Sequence, residues 1–247
     1  MLNRESRVSH RLATLALAAF CSGCAELGID ASALDQILVA TRGGTAGLDE
    51  RTIVSGLKEA LRVGTERSVS LTSRDGGFLN DPLLRIALPD DLQTMGKALR
   101  AVGMGGQVDA LEITMNRAAE TASAEAKSVF WQAVSTMSIS DAHGILNGPQ
   151  DAATSYFRGR TEGSLRERFA PVVERAMQQV GLYQAYDKLT SRYEALSLLG
   201  SPSVELNRYV TDETLDGLFT VLAQEEKRIR TDPMARSTEL LEKVFGP

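Results

Sequence analysis

From Asp49 onward, apolar side chains recur at three- and four-residue spacing, the period of helices with one face turned inward. Ile53, Leu57, Ala60, Leu61 and Gly64 mark a helix that Asp49 can N-cap and that should end near "RDGG", 74–77. Leu92, Met95, Leu99 and Val102 mark a second, stopped by Gly103. Val108, Leu111, Met115, Ala118 and Ala122 mark a third, and Val129, Phe130, Ala133, Val134 and Met137 a fourth. Ser138 stands three residues before Asp141, a capping-box spacing that opens a short helix to Leu146. Beyond "NGP", the spacing predicts a helix over Gln150–Arg158. Another follows on Leu165, Phe169, Val172, Ala176 and Val180, where Pro171 should kink or start it. Leu182, Tyr186, Leu189 and Tyr193 continue the series. After a loop at 199–203, Thr211 is expected to cap a helix carrying Leu215, Leu218, Phe219, Leu222 and Ile229, and a last helix ends at Phe245.

One stretch breaks this period. In "FLNDPLLRIALP", Phe78–Pro89, Leu84, Ile86 and Leu88 alternate with Arg85 and Ala87, which is period two. Asp81 precedes a proline and is biased to extended geometry. The expectation is a short extended strap or, at most, a two-stranded ribbon. Aromatic residues are only 5% of the chain, and no segment repeats at fixed period, so a solenoid is excluded. The fold class expected is all-α: one compact helical domain of about nine helices over residues 48–247.

The N-terminus has a different pattern. Arg4, Arg7 and Arg11 precede an apolar run of nine, Leu12–Phe20. Ser22, Gly23 and Cys24 follow. A basic leader, a short apolar run and small residues make a bacterial secretory signal. The run is too short to span a bilayer, which takes about 20 residues. "CSGC" resembles a bacterial lipobox, with Cys21 where leucine is usual. Phe20 makes Cys21 itself a poor substitute for Cys24. This resemblance implies removal of residues 1–23, acylation of Cys24 and a tether over 24–47 with a weak helix at Leu34–Ala40. Two or more acyl chains anchor stably where one does not. Ala25, a non-aspartate, implies sorting to the outer membrane, with the domain on its periplasmic face. Cys21 and Cys24 are the only cysteines. With one removed and the other acylated, disulfide, thiolate and cysteine–metal chemistry all disappear.

Charge narrows the partners. The leader carries three arginines and one glutamate, so a mature chain of 224 residues would hold 24 basic and 31 acidic side chains, a net charge of −7 against −5 for the whole. Such a surface does not suit nucleic acid or electrostatic docking on anionic lipid.

Catalytic templates largely fail. The mature chain has one histidine, His143, at a helix end where it suits exposed carbonyls. "GMGGQV", 103–108, lacks the last glycine of a dinucleotide loop, and no G-x-S-x-G occurs. No cofactor or metal is implied. A polar stripe remains. Asp109, Glu112, Asn116 and Glu120 are spaced three, four and four on one helix face, with Arg117 beside them. Buried, the row needs partners, for which Arg62, Arg85 and Arg158 are the candidates; it could then hold a polar ligand or a hard cation such as Ca²⁺, or do acid–base work. Exposed, it is a solvated face. Asn80 and Asp81 are a second candidate, with turn formation as the simpler reading. Tyr156, Phe157, Tyr183, Tyr186 and Tyr193 are read as core.

Several strings occur together and in order: "GLKEAL" (Gly56–Leu61), "FLNDPLLRIALP" (Phe78–Pro89), "MNRAAE" (Met115–Glu120), "AATSYF" (Ala152–Phe157) and "YVTDETLDGLF" (Tyr209–Phe219). Over Leu48–Phe245 the chain resembles the bacterial family designated domain of unknown function 4197. Ala87 stands where that family tends to have proline. The resemblance implies an exported protein, often a lipoprotein, and brings no activity with it. The function expected is a lipid-anchored helical protein that binds an unknown protein or small ligand. The alternatives are a carboxylate-dependent hydrolase using the Asp109–Glu120 helix, or a structural envelope protein.

Overall fold

The computed structural model describes residues 49–179, 182–196 and 204–235. The leader, Cys24, the tether with its expected helix at Leu34–Ala40, the loop at 199–203 and the helix expected to end at Phe245 lie outside the described residues. Those described belong to one compact unit, Leu48–Pro247.

The architecture is all-helical. In chain order it comprises α1 (Glu50–Ser73), α2 (Asp90–Ala101), α3 (Gly105–Ser123), α4 (Ala126–Ser135), α5 (Ile139–Leu146), α6 (Ala152–Gln179), α7 (Leu182–Leu196), α8 (Leu206–Thr231) and a 3-10 turn at Pro233–Ala235. The expected count of nine is not confirmed. Two expected helices are one, because α6 runs unbroken from Ala152 through Pro171. Pro171 is exposed, and so is Glu167 one turn before it. The Glu167 carbonyl that a proline leaves without a donor therefore belongs to a residue at the water-facing surface, where the loss is tolerated. Thr211 is not a cap. It lies buried inside α8, which begins at Leu206.

Local signals held where both partners are near in sequence. The Asp49 carboxylate accepts the Thr52 amide at 2.9 Å. Ser138 and Asp141 form the reciprocal capping box of α5. Gly103, at φ +85°, turns the chain between α2 and α3.

Helix α8 is central, packing on α6, α1 and α3, and it buries residues on most of its faces. At its middle Phe219 meets Phe130 of α4, whose ring is edge-on to Phe157 of α6 at 5.3 Å between centroids. Tyr193 is buried, and Tyr156, Tyr183 and Tyr186 pack against the same core, as core aromatics.

Candidate functional site: the seam between the strap and α3

Residues 74–89 cross the bundle without regular structure, and no strand occurs among the described residues. The ribbon expected here is absent; the strap is present. Its alternation is real, since Phe78, Leu84, Ile86 and Leu88 are all buried. Each buried side chain of this size stabilises by about 1.5–3 kcal/mol. Phe78 reaches the core because α8 has glycine at 217: a Cβ there would lie 2.5 Å from the Phe78 ring.

A strand partner is missing because a side chain replaces it. Asn116, fully buried on α3, accepts the Ile86 amide through Oδ1 at 2.9 Å and donates through Nδ2 to the Ile86 carbonyl at 2.8 Å. Both backbone groups of Ile86 are thus satisfied as an adjacent strand would satisfy them. Glu120, one turn on, is buried too. Its Oε1 accepts the amides of Phe78 and Leu79, both at 3.1 Å, and its Oε2 accepts Arg117 Nη1 at 2.7 Å. Arg117 also pairs with Asp75 at the start of the strap. One turn before Asn116, Glu112 receives Arg85 at 3.2 Å and lies 3.6 Å from Arg100 of α2, which also pairs with Asp109.

The polar stripe on α3 is therefore a row of fastenings. The structure brings Asp109, Glu112, Asn116, Arg117, Glu120 and Arg85 to one seam. Asp81 belongs to the strap as a turn former: its Oδ1 accepts the Leu83 amide at 2.9 Å. Asn80 lies exposed beside it, its amide bonded to the Gly76 carbonyl at 3.1 Å. Arg62 and Arg158 are not part of the seam. Arg62 pairs with Glu59 and Glu66 on its own helix. Arg158 pairs with Asp216 and Glu162 and lies 4.6 Å over the Phe219 ring. His143 meets Glu50 of α1 through Nε2, at 3.1 Å.

Two further strap contacts were not anticipated: Gln93, whose Nε2 donates to the Leu88 carbonyl at 2.9 Å, and Tyr209, whose hydroxyl donates to the Ala87 carbonyl at 3.1 Å. Arg100, equally unanticipated, pairs with Asp109 and Glu112 of α3. Burial, with the Glu213, Asp90 and Glu112 carboxylates nearby, pushes the Tyr209 phenol up to about 12, so it stays a donor. A second buried carboxylate was also missed. Glu226 of α8 caps α6 from across the bundle, accepting the Ala153 and Thr154 amides at 2.9 and 2.8 Å, with Arg230 as its counter-ion. Its only sequence signal is the i,i+4 pairing with Arg230.

Among the described residues no group of three or more His, Cys, Asp or Glu is placed to hold a metal ion, and no helix is long and apolar enough to cross a membrane. Residues 47–246 match the profile of a family described as protein of unknown function (DUF4197). No curated protein and no solved structure matches the chain.

Proposed function

The chain belongs to the DUF4197 family, and from that premise we propose that it is a lipid-anchored, periplasm-facing binding protein of the bacterial outer membrane rather than an enzyme. The observation that carries the reading is the occupation of the α3 stripe. A carboxylate that serves as general acid or base needs a free oxygen facing substrate. Both oxygens of Glu120 are taken, one by two backbone amides and one by Arg117, and Asn116 is committed to Ile86. The residues best spaced for a hydrolase hold the fold instead. The anchor rests on the sequence around Cys24. Its acyl chains would hold the helical domain at a membrane face, with residues 25–47 as the connection.

Intact-mass spectrometry of protein extracted from native membranes tests the anchor. The expected species begins at Cys24 and carries a diacylglyceryl thioether with a further acyl group. Cys24→Ser should leave the protein unacylated and uncleaved. An unmodified Cys24 thiol behind a retained leader would overturn the anchor. Cross-linking in those membranes should recover a specific partner; repeated recovery of the bare chain would overturn the binding role.

A further inference from the structure

Away from the strap, α4 and α6 enclose a polar groove of about 400 Å³, within the size range of ligand sites. Gln132 and Thr136 form one wall; Arg160, Ser164, Glu167 and Arg168 form the other. Arg160, Ser164 and Arg168 follow one another at four-residue steps on one face of α6. Their spacing puts the two arginines about 12 Å apart along the helix.

These two arginines are not neutralised. Ten of the sixteen described arginines have a carboxylate within 4.0 Å. Arg160 and Arg168 have none among the described residues. Arg168 donates to the Ser128 hydroxyl at 3.3 Å. Arg160 lends only longer-range support to the Asp141 carboxylate. The other unneutralised arginines, Arg51 and Arg74 among them, do not line the groove. Two guanidiniums with no carboxylate within 4.0 Å among the described residues thus share one concavity with Glu167, in a chain of net charge −5.

We propose that the α4–α6 groove binds an extended acidic peptide, with ligand carboxylates seated on Arg160 and Arg168. A compact oxyanion calls for donors converging on one point. Here the two arginines spring from points about 12 Å apart along α6, and Gln132, Ser164 and Glu167 line the same groove, a mixture of donors and acceptors suited to the alternating N–H and C=O of a peptide backbone. The proposal rests on the reading of the chain as a binding protein, but not on its anchor.

The test uses the full chain and a fluorescent hexaglutamate peptide, with anisotropy read at low ionic strength so that screening does not hide the contact. Binding should be saturable. Arg160→Ala and Arg168→Ala should each weaken it tenfold or more, and Arg51→Ala and Arg74→Ala should leave it unchanged. All four side chains are exposed, and circular dichroism checks that each variant folds. No saturable binding, or equal loss in the two control variants, would overturn the proposal. Displacement by pyrophosphate at equal charge would also overturn it, assigning the groove to compact phosphates. None of these results bears on whether membrane cross-linking recovers a partner elsewhere, so the two readings fail separately.

Discussion

Asn116 shows how one side chain stands in for a strand. Replacing it with leucine keeps the volume and orphans the amide and carbonyl of Ile86. Each buried orphan costs about 1–3 kcal/mol, so Asn116→Leu should destabilise by about 2–6 kcal/mol in urea unfolding. Tyr209 supplies a pH signature at the same seam. Its folded-state value, about 12, lies above the ordinary 10. The folded protein therefore holds the phenolic proton where the unfolded chain has lost it. This contribution to stability is complete below pH 10 and is lost as pH rises to 12. Tyr209→Phe should flatten that part of the stability profile and cost about 1 kcal/mol at neutral pH through the lost hydrogen bond. The residues of the seam were legible in part. Asp109, Glu112, Asn116 and Glu120 share a face because a helix has 3.6 residues per turn. Which arginine answers them was not, because Arg62, Arg85 and Arg158 are equivalent candidates until the chain folds.

At the scale of elements, the strap is the instructive case. Period-two alternation reports that one side of an extended segment is buried; it says nothing of what pairs with the backbone. Here helices surround the segment, so α3 side chains take the place of a ladder. Docking on α8 depends on Gly217. A Cβ there would meet the Phe78 ring at 2.5 Å, and overpacking of this kind costs about 1–3 kcal/mol. Gly217→Ala should lower stability by that amount, and pairing it with Phe78→Leu should recover part of the loss, a coupling that a double-mutant cycle measures. The same logic separates the helices read correctly from those that were not. The caps of α1 and α5 lie within three residues of their targets. The continuity of α6 across Pro171 depends on which face of the helix meets water, and that is settled by packing.

For the molecule as a whole, buried carboxylates join helices that are distant in sequence. Glu226 ties α8 to the first turn of α6, and Arg230 extends the tie to the Ile145 carbonyl at the end of α5, at 2.9 Å. Removing one partner of a buried ion pair costs about 3–5 kcal/mol. Glu226→Ala should therefore lower the midpoint of a single cooperative thermal transition. A second transition would show that α5 and α6 melt apart from the rest.

By itself the sequence determined the helical class, the places where helices begin on nearby caps, the apolar side of each, and the presence of an extended interruption at 78–89. These follow from forces acting within a few residues: backbone periodicity, capping and the burial of apolar faces. Only the tertiary structure decided that the α3 stripe grips the strap, that Glu226 caps a helix more than seventy residues away, and that Arg160 and Arg168 line one groove with no carboxylate within 4.0 Å among the described residues. Those facts depend on which surfaces meet, and contacts between residues far apart in the chain leave no fixed spacing to read.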